Sequence, residues 1–386
     1  LYAKWLQDMA DAQRPGGSVP DIAPAYWPIY SDNVVWPSSS VIIPEMLREQ
    51  FDDNRIIARH YDSMKRWMAY MSGFMTNGII SRDSYGDWCV PPENLTQIHT
   101  KDPARITDKT LLATAYFYHD YRLMEHYAGL LGKTEDAREF HDQAEKIKAA
   151  FNEKFLNRSR GQYSNGTQTS CVLPLAFGLA PDDMRTTIFN RLVDNIENVT
   201  HGHVGTGLVG GQYLYRVLND NGRPDLVYTI ASQKSYPGWG YMIENGATTI
   251  WELWNGNTAD PTMNSGNHVM LIGDYVVWLY EDLAGIKPDP QHPAFKHVLM
   301  KPEPVEGLTF VKATHKSPYG LITSEWHRHG GQFDWQIEVP VNTTATVYVP
   351  AMRPGMVKAD GLKPVRFENG RSIFELGSGK YHFVSQ

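Results

Sequence analysis

Apolar residues recur at helical spacing up to about residue 283 and at strand spacing after Pro288. Leu1, Trp5, Leu6 and Met9 open a helix that Arg14-Pro15-Gly16-Gly17 closes. Helices are predicted over 41–50 and 54–75, the second carrying Ile57, Tyr61, Met64, Trp67, Met68 and Met71 on one face. Two long helical patterns, 109–131 and 135–155, meet at Gly132-Lys133, the arrangement of an αα-hairpin. Shorter helices are predicted over 167–177, 182–195, 211–218 and 225–232, and a last one over 267–283 that stops at Gly285. Between them run long loops rich in aromatic residues, at 18–40 and 85–93, and no strands are expected there. Helix pairs alternating with such loops point to an α/α toroid whose loops gather at one end. Beyond Pro288 the pattern changes to period-two or β-branched runs at 298–300, 308–313, 320–326, 333–339, 344–350 and 381–384, which describe an antiparallel β-sandwich. The expected division is an α/α-toroid domain over 1–287 and a β-sandwich domain over 288–386.

Composition narrows the function classes. The net charge of −7 and the lack of any basic cluster longer than Lys65-Arg66 argue against a nucleic-acid partner. Aromatic residues make up 12% of the chain, enough for stacking surfaces as well as core, and sugar rings present apolar C–H faces to such surfaces. Cys89 and Cys171 lack metal-ligand spacing and read as two free thiols, with a single disulfide left open. Neither a metal site nor a cofactor is expected; Asp52-Asp53 and Asp182-Asp183 lack calcium-loop spacing. No apolar run is long enough to span a bilayer. Leu1-Tyr2-Ala3-Lys4-Trp5 reads as the middle of a helix, so the chain is expected to continue something longer. Asn94, Asn157, Asn165, Asn198 and Asn342 stand in Asn-x-Ser/Thr sites that matter only in a glycosylating host. Oligomeric state stays open, and a periplasmic or extracellular place is preferred to a cytoplasmic one.

The chemistry concentrates in 238–254. There Glu244 and Glu252 fall among Trp239, Tyr241, Trp251 and Trp254, bounded by glycines. Carboxylates beside indoles suit a site that holds a ring and does acid/base work on it, although tryptophans this dense also suit a core. Asn267-His268 follow, and Gly86-Asp87-Trp88 upstream again pairs an acid with an indole.

Gly246-Ala247-Thr248-Thr249-Ile250-Trp251-Glu252-Leu253-Trp254, preceded by Tyr236-Pro237-Gly238-Trp239-Gly240-Tyr241-Met242-Ile243, resembles the signature of the family 78 bacterial α-L-rhamnosidases. Gly16-Gly17-Ser18-Val19-Pro20-Asp21-Ile22-Ala23-Pro24, Gly86-Asp87-Trp88 and Asn267-His268 fit the same pattern, in the same order. The resemblance implies an (α/α)6 barrel that removes terminal α-L-rhamnosyl residues from a rhamnose-containing glycoside or polysaccharide with inversion. It places the general base at Glu252, indoles lining the rhamnose pocket at Trp36 and Trp88, and a pocket histidine at His268. Asp87 is expected either to accept sugar hydroxyls or to cap a turn, and Trp239 and Tyr241 are candidates for the rim. Glu244 ranks below Glu252 because the family motif carries its glutamate in the Trp-Glu pair. The family's general acid lies in an Asp-Cys-Pro-rich segment ending in Gly-Trp-x-Gly-Asp, and no such run occurs in this sequence. The expectation is therefore a base and most of a sugar pocket without the proton donor or the first barrel helices. A non-catalytic glycan-binding module and a polysaccharide lyase on the same kind of barrel remain the alternatives.

Overall fold

The computed structural model describes residues 1–359 and 361–386. It is mainly helical, with sheets toward the C-terminus, and divides into two compact units: residues 1–45 with 54–274, and residues 46–53 with 275–386.

The helices are α1 (Tyr2–Ala12), α2 (Ser39–Phe51), α3 (Asn54–Ser72), α4 (Lys109–Leu130), α5 (Thr134–Phe155), α6 (Gln168–Ala176), α7 (Asp182–Asp194), α8 (Leu208–Gly211), α9 (Leu214–Asp220), α10 (Pro224–Ala231), α11 (Trp239–Glu244) and α12 (Tyr275–Val277). In the first unit α4 is buried on most of its circumference, whereas α5 is amphipathic and buries Phe140, Ala144, Ile147, Phe151 and Phe155 on a single stripe. Asp108 caps α4 by accepting the Thr110 N–H, and Gly132, at φ +70°, turns the chain into α5. Thr167 does the same for α6 through the Ser170 N–H. The expectation of no strands between helices needs correction, because β1 (Leu156–Asn157) and β2 (Gln162–Tyr163) form a small antiparallel hairpin after α5.

The continuous helix predicted over 267–283 is also absent. A 3-10 turn covers Val269–Ile272, Gly273 takes φ +54°, and α12 leads into a π-helical turn at Trp278–Leu283. The break has a tertiary cause. The Asp274 N–H donates to the Gly211 carbonyl at 3.1 Å, and its carboxylate accepts the Arg216 N–H at 2.9 Å.

The second unit contains β3 (Ile286–Pro288), β4 (His297–Met300), β5 (Phe310–Ser317), β6 (Gly320–His329), β7 (Gln332–Val339), β8 (Thr344–Pro350), β9 (Arg366–Glu368), β10 (Arg371–Leu376) and β11 (Gly379–Ser385). They form a five-stranded sheet in the order β3-β4-β8-β10-β9 and a four-stranded sheet in the order β11-β7-β6-β5. All pairings are antiparallel except β4 with β8, which is parallel. Trp326, Trp335, Phe374 and Phe383 fill the core. Three of its buried polar groups are paired: Trp335 Nε1 donates to Ser324 Oγ (2.9 Å), Ser324 Oγ donates to the Ala284 carbonyl (2.6 Å), and Trp326 Nε1 donates to the Leu283 carbonyl (2.9 Å).

Candidate active site

The loop that carries Asp87 and Trp88 starts with a turn built on Asp83, whose Oδ1 accepts the N–H groups of Tyr85 (3.0 Å) and Gly86 (3.2 Å). Gly86 takes φ +75°, a conformation that suits glycine. Asp87 is buried and fully engaged. Its Oδ2 accepts the Thr169 hydroxyl and the Gly207 N–H (2.9 Å), and its Oδ1 accepts the N–H groups of Val209 (2.9 Å) and Gly210 (3.2 Å). Burial pushes its carboxyl above the usual range, while the Thr169 hydroxyl and the three amides pull it back. Of the two expectations for Asp87, the geometry is that of the cap and not of a sugar contact: its bound oxygens tie this loop to the start of α8. The Leu208 N–H adds a bond to the Trp88 carbonyl at 2.8 Å.

Trp88 is half-buried and belongs to a row of rings. Trp36 lies 4.7 Å from Tyr85, Tyr85 lies 5.8 Å from Trp88, and Trp88 lies 4.6 Å from His99, centroid to centroid. Tyr85 anchors the row by donating its hydroxyl to Asp21 (2.8 Å), which also accepts from Ser31 (2.7 Å). Burial first, and then the Asp21 bond, pushes the Tyr85 phenol up to about 12. A cavity of about 250 Å³ opens along the row, lined by Tyr85, Trp88, Cys89, His99, Thr107 and Lys109. Burial, with the Lys109 charge, lowers the His99 pKa and favours the neutral ring.

Glu252 stands on a loop, not at a helix end. Two backbone segments run side by side: the Glu252 N–H donates to the Ser265 carbonyl (2.9 Å), and the His268 N–H to the Ile250 carbonyl (2.7 Å). The Ser265 N–H donates in return to Glu252 Oε2 at 2.9 Å. One carboxylate oxygen is thus clamped, and the other has no hydrogen-bond donor among the described residues. Burial is the main cause that pushes the Cys89 thiol up, and Asn255, three residues past Glu252, donates to the Leu95 and Gln97 carbonyls (both 2.8 Å), which ties this loop to the one that carries Trp88 and His99. His268 is half-buried and uses Nδ1 to accept the Met270 N–H (3.3 Å), which caps the 3-10 turn.

Trp239 and Tyr241 have structural commitments. The Trp239 indole N–H donates to the Leu271 carbonyl (3.2 Å), and its ring lies 5.4 Å from Trp254 and 5.9 Å from Tyr215. Tyr241 donates to Asn257 Oδ1 at 3.0 Å. Glu244 is exposed and pairs with Lys234 at 3.2 Å, which sets it apart from Glu252. Both cysteines are buried and free. No cluster of three or more His, Cys, Asp or Glu side chains among the described residues could hold a metal ion. Sequence reasoning missed Tyr85, Asp21 and His99 as parts of the site. Tyr85 sat in the same aromatic loop as Trp88, whereas His99 carried no signal at all.

Residues 1–283 match the bacterial alpha-L-rhamnosidase 6 hairpin glycosidase domain, and residues 285–361 match the bacterial alpha-L-rhamnosidase C-terminal domain. An alpha-L-rhamnosidase of Streptomyces avermitilis is 34% identical over 100% of this chain and 36% of its own length. One of Formosa agariphila is 30% identical over 97% of the chain and 40% of its own length. The chain therefore spans less than half the length of these relatives. Among solved structures, the Streptomyces avermitilis alpha-L-rhamnosidase complexed with L-rhamnose superposes with a TM-score of 0.91 at 33% identity, over 99% of this chain and 36% of that one. The alpha-L-rhamnosidase from Dictyoglumus thermophilum superposes with a TM-score of 0.90 at 33% identity, over 99% of this chain and 43% of that one. On its sequence, its fold and both matched domains, the chain belongs to the bacterial α-L-rhamnosidase family.

Proposed function

We propose that this chain carries the sugar pocket and the general base of an inverting α-L-rhamnosidase built on an (α/α)6 barrel. The observation that carries the proposal is the half-clamped carboxylate of Glu252 on a loop that Asn255 ties to the loop of Trp88 and His99. An inverting glycosidase needs an ionised carboxylate that activates water on one face of the sugar, and a protonated carboxyl that assists the leaving oxygen from the other. Glu252 suits the first role, because Ser265 fixes its direction through one oxygen and leaves the second to accept a proton from water. The indoles of Trp36 and Trp88 offer apolar walls for the C–H faces and the methyl group of rhamnose. His268, with Nδ1 held by Met270, would present its other nitrogen to a hydroxyl. Asp87 acts through Trp88 as a positioning residue. The substrates proposed are glycosides or polysaccharides ending in α-L-rhamnose.

The test is release of L-rhamnose from an aryl α-L-rhamnoside, with the anomer formed first followed by NMR. Glu252→Gln is expected to lower turnover by roughly 10² to 10⁴ while leaving the affinity for free L-rhamnose nearly unchanged. Turnover that survives the substitution removes Glu252 as the base. Rhamnose binding without turnover in the longest natural form of the protein favours a glycan-binding module, and an unsaturated, ultraviolet-absorbing product favours a lyase.

A further inference from the structure

A second cavity in the first unit, of about 370 Å³, lies outside the residues assigned above. It shares Val90 with the cavity beside Trp88, and Val204 with the narrow cleft beneath Trp239 and Trp254. The five-residue stretch from Asp87 to Pro91 passes from one cavity wall to the other. A ligand that placed one ring beside Trp88 would therefore meet this second space just across Val90.

The lining sets the ligand chemistry. Pro91, Ala104, Val199, Val204 and Pro237 make an apolar surface, and Tyr236 adds its ring because its hydroxyl is already given to the Pro92 carbonyl at 3.0 Å. Around this surface stand groups with unused hydrogen-bonding capacity. Arg105 spends Nη1 on the Pro91 carbonyl (3.2 Å), which leaves Nη2 without a hydrogen-bond acceptor among the described residues. The His201 ring has no hydrogen bond there either, and Asn195 donates to the Gly166 carbonyl (3.2 Å) while its Oδ1 stays open. Glu93 is held by the Thr100 hydroxyl (2.6 Å) and the Lys101 N–H (3.2 Å), and these bonds keep its carboxyl below the usual range and ionised.

Charge decides between kinds of ligand. The Arg105 guanidinium lies 3.6 Å from the Asp102 carboxylate and shares the cavity with Glu93, so one fixed cation meets two carboxylates. That balance does not favour an anionic ring such as a uronate or a phosphate ester. An apolar floor with a rim of mixed donors and acceptors is complementary to a neutral polyhydroxylated ring, and the volume is near the low end of ligand sites, about 300 to 1,000 Å³. Resting on the rhamnosidase reading, we infer that this cavity is the acceptor site, holding the neutral hexose to which the rhamnosyl group is attached.

The test is calorimetric titration of the whole chain with L-rhamnose, D-glucose, an aryl α-L-rhamnoside and uncleavable S-linked α-L-rhamnosyl-D-glucose regioisomers. At least one regioisomer is expected to bind roughly tenfold more tightly than L-rhamnose. Arg105→Met and, separately, His201→Gly are expected to remove that gain and leave the affinity for L-rhamnose unchanged. Glycine suits the φ of +51° at position 201, so the second variant deletes the imidazole without backbone strain. Rhamnose binding with no gain for any regioisomer, a gain that both variants retain, or an equal gain for the aryl rhamnoside overturns the acceptor site. If L-rhamnose does not bind but D-glucose does, and does so through Arg105, the rhamnoside reading falls and the hexose cavity stands. Silence toward every ligand overturns both.

Discussion

What already occupies a carboxylate's oxygens limits what it is free to do. Glu252 keeps one oxygen open, whereas Asp87 has none to spare. The sequence made Glu252 legible through its Trp-Glu pair but left Asp87 balanced between two roles, because its partners Thr169, Gly207, Val209 and Gly210 lie far along the chain. Asp274 shows a third fate. It is buried, and desolvation raises its pKa from 3.8 to about 6 against the pull of the Arg216 N–H and guanidinium. The sign follows from proton counting. The folded protein holds this proton up to about pH 6, the unfolded chain releases it near 3.8, and so the folded state binds more protons in between. The stability that Asp274 contributes is complete below the unfolded value and declines as pH rises through about 6. Asp274→Asn should lack this titration. The stability of the wild type relative to the variant, from urea unfolding, should fall by about 2 kcal/mol between about pH 4 and pH 7. A difference that is flat with pH would show that Asp274 is not the group responsible.

Among the elements, the long amphipathic helices and the period-two strands were readable because one local rule fixes each of them. Elements decided by distant contacts were not. The residues 267–283 have a helical pattern, yet a Cβ on Gly273 would stand 2.3 Å from the Gly211 carbonyl oxygen, and the chain turns there instead. The strands β9 and β10 lie between glycine-rich turns and gave too little alternation to be found. The junction of the Trp88 loop with α8 has the same distant origin, and it provides a test. A Cβ on Gly207 would lie 2.2 Å from the Trp88 carbonyl oxygen and 2.5 Å from that of Asp87, both backbone atoms that can yield only by moving the loop. Gly207→Ala should therefore cost about 2 kcal/mol or more in stability and displace Trp88. The displacement should appear as weaker binding of L-rhamnose and altered tryptophan fluorescence. Unchanged affinity in a stable variant would separate Asp87 and Gly207 from the placing of the sugar pocket.

At the scale of the molecule, the two family models divide the chain into a helical part and a sheet part, and every residue proposed for the reaction lies in the first unit. In the proposed reading that unit recognises its ligand through rings, amides and paired charges, while the chain as a whole carries a net charge of −7. A net negative charge repels anionic polymers at long range, and paired charges leave no excess field to draw them into the site. Binding of a neutral rhamnoside should then be almost indifferent to ionic strength. Its dissociation constant is expected to change less than about twofold between roughly 50 and 500 mM salt, a range over which the Debye length shrinks from about 14 to about 4 Å. A protein that bound its ligand through several phosphate contacts would lose orders of magnitude over the same interval. Titration of a neutral rhamnoside beside an anionic one, a carboxyphenyl α-L-rhamnoside, at the two salt concentrations therefore reads the character of the recognition surface. Tighter binding of the anionic compound that fades steeply with salt would mean that unpaired cations carry the binding, and the assignment of both cavities to neutral sugars would have to be abandoned.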